Sequence, residues 1–189
     1  MRRYRRLGIL CAGAALAGAL ACAGGEKPVG EGDVARARAA LAPFKQQLFR
    51  ALTEAMADGP VSAIEVCNTR APAIADSLAS GGLRMGRTSH RLRNPANAPA
   101  EWVMPLLERY AADPSLTEGE ALRVDARTIG YVEPIRMQPM CLVCHGAEIT
   151  PEIAQHLDAL YPDDRARGFA EGDFRGLFWV TLLAQEEDR

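Results

Sequence analysis

The chain has 189 residues, 48% of them hydrophobic and 24% charged, with a formal net charge of −2. That length suits one domain with a single core, and that hydrophobic content excludes a disordered chain. No internal repeat is visible.

The first segment, "MRRYRRLGILCAGAALAGALACAGG", has an arginine-rich start, an apolar run from Leu7 to Ala21 and then small residues. This is the pattern of a secretory signal, and the run is short for a membrane span. Its end, "ALAC", resembles a bacterial lipobox with Cys22 as the acylated residue, although Ala19 stands where Leu is usual. Ordinary cleavage after Ala21 or Ala23 is the alternative. Two or more acyl chains at Cys22 would anchor the protein stably. The expected organisation is a signal over 1–21, a Gly-rich tether over 22–32 and one domain over 33–189. Removal of Arg2, Arg3, Arg5 and Arg6 with the signal leaves 18 basic against 24 acidic residues, a charge of −6. No long basic run remains, so nucleic acid is not an expected partner.

The mature chain opens on a helix from Asp33, its expected cap, to about Ala57. Val34, Leu41, Phe44, Leu48, Leu52 and Met56 recur at helical spacing, with Pro43 placed to kink or split it. "DGP" at 58–60 breaks the pattern. A second helix is predicted over Val61–Ala79, with Ala63, Val66, Cys67, Ile74 and Leu78 towards one face and Pro72 dividing it. "SGG" ends it, and "LRMGRTS" reads as a short strand. "HRLRNPANAPAEW" is loop, and a helix follows over about Ala100–Ala112. "ALRVDAR" and "IGYVEPIRM" alternate as strands. "TPEIAQHLDALYP" is helical, with Thr150 as N-cap and Pro151 in the first turn. "FRGLFWVTLL" is apolar enough for a central strand. This order predicts an α+β domain: an antiparallel sheet flanked by helices, the N-terminal one long.

The chemistry concentrates in "MCLVCHG", where Cys141, Cys144 and His145 follow one another as Cys-x-x-Cys-His. This is the attachment signature of one covalent haem c, with both thiols joined to vinyl groups and His145 on the iron. Zinc would need four ligands, and no second pair exists. A redox disulfide would open a helix after a strand in a βαβ unit, which is not seen. Gly146 would let the backbone lie close to the porphyrin edge. With Cys11 removed and Cys22 acylated, three thiols remain in an oxidising compartment, an odd number for disulfides.

For the other face of the iron, the available side chains are His90, His156, Cys67, Met85, Met104, Met137 and Met140. His156 lies on the helix just after the motif, where a surface histidine is the ordinary reading. His90 sits in a basic loop. Met137 and Met140 are close to the motif in sequence, too close to reach round the ring easily. Spacing alone makes Cys67 a small buried hydrophobe, while the leftover thiol argues that it has a partner.

Four segments occur in an order that resembles a known family: "AIEVCNTRAPAIA", "RTSHRLRNPANAP", "CLVCHG" and "YPDDRARGFAEGDFRG". They resemble the haem c-binding, PAS-like domains catalogued as a bacterial domain of unknown function, best known from secreted cyanobacterial haem proteins. The resemblance covers roughly Val34 to Leu183. It implies a PAS-like sheet flanked by helices, haem on Cys141 and Cys144, His145 as one axial ligand and Cys67, in the "CN" motif, as the other. A thiolate stabilises ferric over ferrous iron, so a low-spin haem of low potential is implied. On reduction the weakened Cys67 bond is expected to break or protonate, opening a site for a small gas.

Arg87, Arg91 and Arg93 are the expected cations for the haem propionates. Asp163, Asp164, Arg165, Asp173 and Arg175 read as loop-fixing hydrogen bonds and ion pairs, and Tyr131 as core. No kinase, methyl-accepting or cyclase region follows, so any signal is expected to pass to a separate protein. The expected function is an exported, lipid-anchored, periplasmic-side monohaem protein that senses redox state or a small diatomic ligand. The alternative is an electron carrier to a partner protein. A haem enzyme such as a peroxidase would need an open iron face and a distal acid/base pair, for which the chain offers little.

Overall fold

The computed structural model describes residues 28–185. The expected signal, Cys22 and most of the tether lie outside the described residues.

Helix α1, Glu31–Ala57, begins two residues before the expected cap, with Gly30 at the N-cap and Asp33 inside the first turn. Asp33 is buried and pairs with Arg36 at 2.7 Å. Arg36 also donates to the Leu183 carbonyl at 2.7 Å, tying the start of α1 to the end of the last strand. Pro43 does not interrupt the helix. Ala37, Leu41, Phe44, Leu48, Ala51 and Ala55 form its buried stripe, three or four residues apart.

The predicted second helix is three pieces: α2, Pro60–Glu65, a π-helical turn, Val66–Arg70, and α3, Ala71–Leu78. In the wide turn the Ala71 N–H bonds back to the Val66 carbonyl, five residues earlier. Pro72 has no N–H to give, and in a regular α-helix its ring would strike the preceding turn. The π turn accommodates it without ending the helix.

Strands β1, Arg84–Thr88, β2, Glu120–Arg123, β3, Thr128–Arg136, and β4, Phe174–Leu183, form one antiparallel sheet in the order β1-β4-β3-β2. β4 is interior, as its apolar composition predicts. Alternation along the strands supplies two faces. Tyr131, Val180 and Leu182 join the α1 core, whereas Val132 and Leu177 pack with Leu106, Leu107 and Tyr110 of α4, Met104–Ala112. The motif forms the one-turn α5, Leu142–His145, and α6, Pro151–Leu160, packs Ile153 and Leu157 with Ile64 of α2. Thr150 holds the N-cap position of α6 without a side-chain cap.

One irregularity matters for the site. Ile135 pairs with Gly176 and Arg136 with Phe174, leaving Arg175 without a partner on β3. Phe174 and Leu177 therefore share the α4 face although three residues apart. The bulge turns Arg175 to the other face, towards α1. Gly176 makes it possible, because a Cβ there would lie 2.0 Å from the Thr88 carbonyl oxygen. Gly176→Ala is expected to destabilise the fold by about 2–3 kcal/mol, since the obstacle is backbone. Denaturant titration would show it as a lower midpoint with an unchanged slope.

Candidate functional site

Between α1, the end of the sheet and α5 lies a cavity of about 270 Å³. Leu48, Leu52 and Met56 of α1 and Phe178 of β4 give it apolar walls. Cys67 enters it from the π turn, Cys141, Cys144 and His145 from the motif, and Tyr161 from the end of α6. Arg87, Arg93 and Arg175 also line it.

The motif begins with a 3-10 turn, Pro139–Cys141, and α5 ends at Gly146, whose N–H closes on the Leu142 carbonyl at 2.8 Å. The segment after Tyr161 braces this turn from outside. Phe169 N–H donates to the His145 carbonyl at 3.0 Å, and Gly168 N–H to the Gly146 carbonyl at 2.9 Å.

The His145 ring has a definite tautomer. Its Nδ1 lies 2.7 Å from the Ala166 carbonyl oxygen. A carbonyl only accepts, so Nδ1 carries the proton and Nε2 keeps its lone pair. Burial, and then the charges of Arg93 and Arg175, hold the ring well below the ordinary histidine pKa, so it is neutral. A neutral imidazole oriented through its other nitrogen is the form that binds a metal.

Ala166 is itself held by a buried ionic network. Arg93 donates from Nη2 to the Cys144 and Ala166 carbonyls, and its Nε lies 3.2 Å from Asp164 Oδ2. Asp164 Oδ1 accepts the Ala166 N–H at 2.8 Å, and its Oδ2 accepts from Arg167 Nε at 2.9 Å. Burial alone would push the Asp164 carboxyl up. The bonds from Arg167 and Ala166, together with the Arg93 charge, outweigh it and hold the pKa below the ordinary 3.8.

Cys67 is placed by a different device. The Ala71 N–H is taken by Val66, and the residue five beyond Cys67 is Pro72, which has no N–H. The Cys67 carbonyl therefore loses both helical donors, and Arg87 Nη2 supplies one at 3.1 Å. The π turn, Pro72 and Arg87 thus act together to set the half-buried Cys67 at the cavity.

Of the other expected ligands, Met137 and Met140 line the cavity. His90 does not: it stacks on Phe174 with centroids 5.6 Å apart. His156 is exposed and bonded to its own helix, Met85 is in the α1 core, and Met104 is exposed. Arg91 lies outside the cavity, with its guanidinium 4.0 Å from the Phe169 ring centre and Nε on the Arg165 carbonyl. Arg93 lines the cavity, but its Nη2 and Nε are turned to the brace just described. Sequence reasoning passed over Arg175 as a loop residue. The signal was a lone charge inside a strongly apolar strand. Tyr161 was also missed; burial raises its pKa to about 12, so its hydroxyl stays protonated.

Among the described residues no three His, Cys, Asp or Glu side chains group closely enough to hold a metal ion by themselves. The donors present suit a larger group, one with apolar faces, an iron to bind a nitrogen or sulfur, and reactive edges near two thiols.

Fold and site together define a PAS-like α+β domain, with a helix-flanked antiparallel sheet and a cavity closed by a Cys-x-x-Cys-His turn. The chain belongs to the Tll0287-like family, whose model matches residues 31–182. Its fold is similar to the crystal structure of the cyanobacterial heme-protein Tll0287, with a TM-score of 0.59 and 22% identity, over 83% of this chain and 98% of that one. No curated protein sequence matches the chain.

Proposed function

We propose that the cavity takes one haem c, bound through Cys141 and Cys144, with His145 and Cys67 as axial ligands. The protein is exported and lipid-anchored at Cys22, and it senses redox state or a small diatomic ligand for a separate partner protein. What carries this reading is that His145, with Nε2 free, and Cys67, on its π turn, line one cavity from separate elements. The name of the solved relative and the apolar walls support the same group.

Bound haem would supply a one-electron couple and, with one axial position open, a site for a diatomic ligand. The chain supplies the rest. His145 is kept neutral and aimed by Ala166. The apolar side chains of α1 exclude water. The π turn, imposed by Pro72 and closed by Arg87 on the Cys67 carbonyl, holds Cys67 at the cavity wall whether or not its sulfur is bound. In a sensor the Cys67 sulfur would leave the iron on reduction. An electron carrier would keep both ligands in both oxidation states.

The test is the exported protein itself. Its mass is expected to exceed that of the polypeptide by one covalent haem, and the reduced form is expected to bind carbon monoxide. An unmodified mass would overturn the cofactor. A reduced protein that refuses carbon monoxide and nitric oxide would leave the electron carrier.

A further inference from the structure

Arg87 and Arg175 enter the cavity as charges without counter-charges. Among the described residues neither forms an ion pair. Arg87 donates to the Cys67 carbonyl and Arg175 Nη1 to the Arg91 carbonyl at 3.1 Å, both neutral acceptors. Arg175 feels the charges of Asp164 and Cys67, but Asp164 is already bonded to Arg93, Arg167 and the Ala166 N–H, and on the haem reading Cys67 would give its charge to the iron. Lys45, also on the cavity wall, has its own partner in Glu133. Burial and the neighbouring charges of Arg87 and Arg93 pull the Arg175 pKa down to about 10. Arg175 is half-buried, and a cation drawn out of water is costly without an anion. The fold nevertheless builds a β-bulge that turns Arg175 into the cavity, with Gly176 making room for it.

We propose that Arg87 and Arg175 form a dicarboxylate-binding end of the cavity, which takes the two propionates of the porphyrin. This rests on the haem reading above. It replaces Arg91 and Arg93 as the propionate cations, since Arg91 stacks on Phe169 outside the cavity and Arg93 braces the motif. The two charges match the two carboxylates of the group. Guanidinium also suits the task, because its planar fork binds a carboxylate through two parallel hydrogen bonds. The two thioether links would fix which way round the porphyrin lies, and binding at this end would neutralise the propionates and hold their edge against β1 and β4.

The test compares Arg175→Gln, Arg175→Lys and Arg91→Gln in the exported holoprotein and in a haem-free form made without residues 1–21, its lack of haem checked by mass and absorption. Arg175→Gln is expected to lower the Tm of the holoprotein by about 4–8 °C more than that of the haem-free form. Removing a cation near the iron should also move the reduction potential to more negative values. Arg175→Lys is expected to restore most of that potential, and Arg91→Gln to leave it in place. Equal Tm losses in the two forms, or a potential that Arg175→Gln and Arg91→Gln move alike, would make Arg175 a fold residue only and overturn the proposal. A wild-type protein exported without haem would instead fail the reading on which it rests, and mass spectrometry reports that separately.

Discussion

Replacing Cys67 with serine is expected to change the ferric absorption spectrum and to raise the reduction potential on the order of 100 mV, roughly a fifty-fold change in the ferric-to-ferrous ratio. The reason is charge. A thiolate is an anionic donor that favours ferric iron, and a serine hydroxyl is a weak neutral one. The fold should tolerate the exchange. Cys67 is half-buried, oxygen is smaller than sulfur, and its carbonyl remains held by Arg87. A stability loss within about 1 kcal/mol is expected. Spectroelectrochemical titration of wild type and variant reads both spectrum and potential. If the two proteins titrate alike, sulfur from Cys67 is not on the iron, and Met137 and Met140, which share the cavity, become the next donors to test.

Asp164→Asn is expected to have the larger effect on the fold. The Asp164 carboxylate is 2% exposed and Arg93 8% exposed, so the variant leaves a buried guanidinium without its counter-charge. Breaking such a pair costs about 3–5 kcal/mol. The damage should reach the site, because the same network holds the Ala166 carbonyl that orients His145. A lower yield of covalently loaded protein is therefore expected alongside a lower Tm. The pH dependence has a definite sign. Asp164 has its folded pKa below the ordinary 3.8, so its contribution is fully present above that value and is lost as pH falls through the folded pKa. The difference in Tm between wild type and Asp164→Asn should be flat at neutral pH and shrink below about pH 4. A difference that stays constant into strong acid would show that the carboxylate charge is not what stabilises the brace.

Much of this architecture is legible along the chain because the forces behind it are local. Leu41, Phe44 and Leu48 repeat at the helical period, and burial of that stripe makes α1. The period outweighs Pro43, which periodicity alone leaves as a kink or a break. "FRGLFWVTLL" is apolar at odd and even positions, so β4 must be covered on both faces, and it is. Cys141, Cys144 and His145 lie within five residues, so spacing alone brings them together.

Fold class, the central strand and the Cys-x-x-Cys-His turn therefore follow from local pattern along the chain. The other wall of the cavity was decided by tertiary structure. Cys67 reaches it because Pro72 and the π turn free a carbonyl that Arg87 takes from 20 residues away. Arg93 becomes a brace rather than a surface cation because Ala166, 73 residues on, brings its carbonyl and Asp164 to it. Arg175 faces the cavity because it has no partner on β3, lying between the Ile135–Gly176 and Arg136–Phe174 pairs. Hydrogen-bond partners and strand register are relations between distant segments, and no local period carries them.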